Sequence, residues 1–149
     1  MYLALKHTHS GLRYVVFILL VAVIVNALQG IARDHKQYGR FDAKLSLFTL
    51  IAVHTQWVLG LVLYFIIPLV RFGDGMMADA QARYWSVEHI AMNTIAVVLF
   101  TISHSKAKRQ ADSKAKFKTH LIYTGIGFVI LIASLTASKY APGLFGSLR

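Results

Sequence analysis

Along this chain the apolar residues come in four long blocks rather than in stripes. Leu12–Ile31, Leu45–Val70, Trp85–Ser103 and Leu121–Ser138 are separated by short polar or basic segments. A soluble amphipathic helix repeats its apolar positions about every 3.6 residues and keeps a polar opposite face. Stretches such as YVVFILLVAVIVNAL are instead apolar all round. Each block holds roughly 18 to 26 residues, enough at about 1.5 Å per residue to cross a hydrocarbon core of about 30 Å. The pattern predicts an all-α protein, an integral membrane four-helix up-and-down bundle forming one domain. Its spans fall at about 10–32, 45–69, 85–104 and 119–138.

Local signals refine these elements. Helix 1 starts before its lipid-facing part, because YLALKHTHSGLRY has no proline and one glycine. Its apolar run is long for a cleavable signal, so it reads as a retained span. Pro68 bends or ends helix 2. RFGDGMMADAQAR is a turn-containing connection, and Tyr84 and Trp85 open helix 3 as interfacial aromatics. Short connections put helices 1 and 3, and helices 2 and 4, on the diagonals of the bundle.

Composition changes the picture through charge. The 149 residues carry sixteen Lys and Arg against six Asp and Glu, a net charge of +10. Ten cations flank the first and third connections: Arg33, Lys36, Arg40, Lys44, Lys106, Lys108, Arg109, Lys114, Lys116 and Lys118. The other six are Lys6, Arg13, Arg71, Arg83, Lys139 and Arg149. By the positive-inside rule the two basic connections are cytoplasmic and both termini are outside. Charge placed this way serves topology and contact with membrane lipid, and no nucleic-acid partner is expected. Cysteine is absent, which excludes disulfides, thiolate metal sites and covalent c-type haem. No nucleotide-binding glycine loop or nucleophile motif suggests catalysis by the chain alone.

The histidines carry the chemistry. Ionisable groups inside a membrane are costly and usually face the bundle interior. Of seven, His35 lies in a basic connection, and His7 and His104 read as interfacial or interhelical hydrogen-bonding residues. His9 and His89 lie toward the terminal end on diagonal helices 1 and 3. His54 and His120 lie toward the basic end on helices 2 and 4. Histidines on facing helices suit a flat macrocycle, and two imidazoles saturate haem iron for electron transfer. A zinc ion wants three or four ligands at one spot. The depths match imperfectly, by about 8 Å within each pair on straight-helix arithmetic. Arg13 and Arg83 are placed to meet haem propionates, or to anchor the interface. Glu88 is placed to orient a histidine or to pair with Arg83 or Arg13. Asn26, Gln56 and Asn93 are expected to bond between helices.

Together LKHTHSGLRYVV, VHTQWVLGLVLYFI, VEHIAMN and FKTHLIYTGIG resemble a family of small four-helix bacterial membrane proteins. That family is found chiefly in Bacteroidota and is labelled cytochrome b or cytochrome b561-like. The resemblance covers nearly the whole chain and implies haem b and electron transfer in the bacterial inner membrane. The chain departs from the respiratory cytochrome b pattern of two ligands on each of two helices. Only His89 and His104 approach that spacing. The expectation is a b-type cytochrome with one or two haems, exchanging electrons with quinol or another redox protein. A homo-oligomer or a larger complex is open. Two other readings stand beside it: a haem-free accessory or scaffold subunit, and a proton or metal-ion transporter that uses Glu88 and the histidines.

Overall fold

The computed structural model describes residues 2–33, 35–136 and 138–143. Ala137, in the fourth expected span, and Arg149, among the cations, lie outside the described residues. Four helices make up the fold: α1 (Tyr2–Ala32), α2 (Arg40–Ile66), α3 (Ala80–Arg109) and α4 (Ser113–Thr136). No strand occurs among the described residues. Near its start α3 contains one π turn, Tyr84–Glu88.

The helix ends follow from local chemistry. Asp42 caps α2 by accepting the Gly39 N–H at 2.7 Å, satisfying a donor that the helix itself leaves unpaired. Ile67 leaves α2 in an extended conformation, φ −84° and ψ 132°, as suits a residue before proline. Asp112 starts α4 by accepting the Ala115 N–H at 2.6 Å. Between α2 and α3, Gly73 and Gly75 adopt positive φ of 134° and 81°, which glycine tolerates best.

α1 packs against α2 and α4, and α3 packs against the same two helices, so α1 and α3 are diagonal. Val16, Leu20, Val53, Ala96 and Phe100 form the central core. Outward, large apolar side chains stand bare: Ile18 is 67% exposed, Val129 65% and Phe65 77%. In water such a surface would be an aggregation liability. All four helices are long and apolar enough to cross a membrane, so this is the outer surface of a multi-pass bundle. Without a hydrophobic drive between helices in lipid, close approach and hydrogen bonds hold them together. Asn26 donates to Asp42 at 2.7 Å, Gln56 to the His9 carbonyl at 3.0 Å, and Asn93 to Ser134 at 2.7 Å. The three side-chain amides therefore tie α1 to α2 twice and α3 to α4 once.

Two glycines allow the closest approaches. A Cβ on Gly30 would enter the Phe117 ring, and one on Gly127 would lie 2.6 Å from the Phe100 ring. Gly125 has nothing within 4 Å. Gly127→Val is therefore expected to destabilise the bundle by about 1–3 kcal/mol through overpacking. Gly125→Val should leave it within about 0.5 kcal/mol. Thermal unfolding of both variants in detergent checks this, and equal midpoints would contradict the packing described.

Candidate functional site

A cavity open on one side, about 1130 Å³ with the open space at its mouth included, lies toward the terminal end of the bundle. All four helices line it, with His9 and Arg13 from α1, Gln56 and Gly60 from α2, His89 from α3 and Leu135 from α4.

One hydrogen bond sets the levels. Trp57 Nε1 donates to Thr94 Oγ1 at 3.1 Å and aligns α2 with α3. From that tie Gly60 is three residues and His89 five residues toward the terminal end, about 4.5 Å and 7.5 Å at the helical rise. The His9 ring rests against Gly60, where a Cβ would meet His9 Cε1 at 2.9 Å. His9 and His89 thus differ in level by about 3 Å rather than the 8 Å reckoned from sequence. Counting from hydrophobic boundaries misplaced α1, whose helix begins at Tyr2 and extends past its most apolar part.

The side chains behind His89 fix its protonation. Tyr84 donates its hydroxyl to the Ser134 carbonyl at 2.6 Å. A tyrosine has one hydrogen to give. Toward His89 Nδ1, at 3.2 Å, the Tyr84 oxygen is left to accept, so Nδ1 carries the proton. Nε2 is then the ring's lone-pair nitrogen, and Ser134 Oγ, 3.2 Å from Nδ1, is able to accept the same proton. A histidine held through one nitrogen with the other left basic is the arrangement that metal centres use. At His9, Gln56 Nε2 lies 3.4 Å from Nε2, while His9 Nδ1 and Gln56 Oε1 are buried without hydrogen-bond partners. Each such atom costs about 1–3 kcal/mol, so this wall has unmet polar demand.

The π turn builds much of this wall. It buries Tyr84, Trp85 and Ser86 in succession. Tyr64 donates to the Ser86 carbonyl at 2.7 Å, and Ser86 Oγ donates to the Arg71 carbonyl at 3.0 Å. Tyr84 and Trp85 are consequently 1% and 8% exposed, packed on each other and on His89 rather than on the membrane interface. π turns often mark functional sites, and no sequence period announces one. Tyr84, Ser134 and Gln56 are site residues that charge and spacing did not single out for that role.

Other sequence candidates fall elsewhere. Arg83 does not line the cavity, because its Nε donates to Glu88 Oε1 at 2.7 Å and its Nη1 to the Met77 carbonyl at 2.8 Å. Glu88 is thereby paired with Arg83 instead of orienting a histidine. His54 and His120 are not brought to one cavity. His54 Nδ1 donates to the Leu50 carbonyl at 2.9 Å, and Nε2 lies 3.4 Å from Thr101. His120 is held on both nitrogens, by Tyr38 and Ser103, each at 3.0 Å. The space beside it is small and is lined by Leu20, Leu50 and Phe100 as well as by hydroxyls. Ser46 bonds His104 at 2.9 Å, and His7 is exposed. The terminal-end cavity therefore brings two histidines together from diagonal helices, and the pocket beside His120 does not. Among the described residues no three His, Asp or Glu cluster as a bare metal ion would need.

Tyr84→Phe is expected to destabilise the bundle by about 1–3 kcal/mol, because the buried Ser134 carbonyl loses its donor. Tyr123→Phe, which loses a contact with Lys106 at the exposed surface, should change little. Denaturant unfolding in detergent compares the two, and wild-type stability in Tyr84→Phe would contradict the network.

In comparisons with known proteins, the chain matches no family model, no curated protein and no solved structure.

Proposed function

We propose that this protein is a b-type cytochrome that holds a single haem between His9 and His89 and passes electrons within the membrane. One observation carries the reading: diagonal helices bring two histidines, at nearly one level, to the same large cavity. Four-helix bundles build cofactor sites in this way, from side chains on facing helices. Haem bound there would supply reversible one-electron chemistry, and His9 and His89 would be the residues that hold it.

The chain's residues would each have a part. His89 offers Nε2 because Tyr84 and Ser134 hold Nδ1. Gly60 leaves the α2 wall shallow, so the ring of His9 can lie against it. Arg13, one turn after His9 and on the cavity wall, supplies a cation for a propionate. Trp85, Leu135 and Phe100 give apolar contact and keep water from the centre of the bundle. The electron donor is a quinol or another membrane carrier that reaches the open side. The setting is the bacterial inner membrane, with the ten-cation face cytoplasmic and the termini periplasmic.

Protein produced with haem available should show a reduced-minus-oxidised spectrum of b type. His89→Ala and His9→Ala are expected to abolish it, whereas His54→Ala should retain it. A normal spectrum in His89→Ala, or none in wild type, would remove the haem reading. For the orientation, a cysteine introduced at Gln110 should resist membrane-impermeant labelling from the periplasmic side of intact cells. Efficient labelling there would reverse the topology.

A further inference from the structure

The basic end holds a second polar system that the large cavity does not use. Tyr38 OH lies 3.0 Å from His120 Nε2, His120 Nδ1 lies 3.0 Å from Ser103 Oγ, and Ser103 Oγ lies 2.9 Å from Thr124 Oγ1. Ser103, Thr124 and His120 are 2%, 3% and 4% exposed. Together with Ser46 and Thr49, they line the small pocket at mid-bundle. Its space suffices for about one water molecule, which the surrounding hydroxyls can bond.

The hydroxyls differ from others in this protein in one respect. Thr8, Thr49, Thr55, Thr94, Thr101 and Thr136 each donate to the carbonyl four residues earlier. Such a hydrogen is committed to the backbone. Tyr38, Ser103 and Thr124 bond only side chains in this network, and each hydroxyl is able either to donate or to accept. The chain of bonds therefore reads equally well in either direction. His120 fits it in both neutral tautomers, and no contact has to break when one replaces the other.

We propose that Tyr38, His120, Ser103 and Thr124 form a proton relay joining the basic face of the bundle to the polar pocket at its middle. For an inward transfer, Tyr38 gives its proton to His120 Nε2 and is reprotonated by water at the surface. His120 Nδ1 passes its proton to Ser103, Ser103 passes its own to Thr124, and Thr124 gives one to water in the pocket. Only O–H and N–H bonds form and break, and no electron moves. Hydroxyl rotation and return of the ring to its first tautomer reset the chain. Tyr38 stays a relay rather than a proton store, since burial, with the Asp42 carboxylate nearby, pushes its pKa up to about 12.

The surrounding charges are already occupied. Asp42 is paired with Lys36 at 3.7 Å and bonded by Asn26, His104 is bonded by Ser46, and Lys116 lies 5.1 Å over the Tyr38 ring. Phe100 lines both the pocket and the large cavity, and Gly127 lets its ring sit tight against α4. The relay thus stops one aromatic ring short of the large cavity. It brings protons to the interior without opening a path across the bundle, and its geometry stands whether or not the cavity holds haem.

Full-length protein labelled with ¹⁵N-histidine, in detergent micelles, tests this by NMR. The two ring nitrogens of His120 are expected at averaged, intermediate shifts, the mark of fast exchange between tautomers. In Ser103→Ala that exchange should slow by at least about 100-fold, with the two shifts separating. Tyr38→Phe, at the other end, should do the same. His54, whose Nδ1 is tied to the Leu50 carbonyl, serves as a fixed-tautomer reference and reports that each variant has folded. A wild-type His120 locked in one tautomer, or unchanged averaging in both variants, would overturn the relay.

Discussion

Everything in this bundle follows from the cost of placing imidazoles among helices surrounded by lipid. An unpaired polar group there costs several kcal/mol, about as much as the marginal stability of many domains leaves to spare. The chain meets that cost differently along its length. At the basic end each histidine nitrogen with a partner finds a hydroxyl or a carbonyl: Tyr38 and Ser103 on His120, Ser46 on His104, Leu50 on His54. At the terminal end the same economy is not observed. There His9 Nδ1 and Gln56 Oε1 remain buried and unsatisfied beside the large cavity. The contrast between a satisfied half and an unsatisfied half is what separates a structural histidine from a ligand candidate.

The π turn of α3 is the local device behind this contrast. By burying Tyr84, Trp85 and Ser86 in succession, it brings one hydroxyl to bear on both the Ser134 carbonyl and His89. Tyr64 and Arg71 hold the turn from the α2 side, so it is braced by a neighbouring helix and the connection that follows it. A regular helix would direct consecutive side chains about 100° apart and leave one of the three facing lipid. The fold and the protonation of one imidazole are in this way a single arrangement.

Much of the architecture was legible in the sequence, because it rests on block hydrophobicity and short connections. The four helices, their diagonal relation and the interhelical roles of Asn26, Gln56 and Asn93 all depend on patterns of that kind. His9, His89 and Arg13 were legible as well, since polar residues in apolar spans are conspicuous. The rest needed coordinates. Helix boundaries overran the apolar blocks, α4 starting at Ser113 and α2 at Arg40, because capping by Asp112 and Asp42 decides them rather than hydropathy. α1, which begins at Tyr2, overruns its apolar block as well, and that overrun shifted the depth of His9. Whether His54 meets His120 depended on rotation about the helix axes, which block hydrophobicity leaves undefined when a helix is apolar all round. Arg83 was drawn from the cavity by Glu88, five residues away, a pairing the π turn makes close.

The central claim, that His9 and His89 are made to ligate one haem, is tested most directly by stoichiometry and iron spin state together. A pyridine haemochrome assay on purified protein of known concentration, with electron paramagnetic resonance of the oxidised form, measures both. The account predicts one haem per chain with the low-spin signal of bis-imidazole ligation. Two haems per chain, or a high-spin signal from iron with only one histidine, would contradict it.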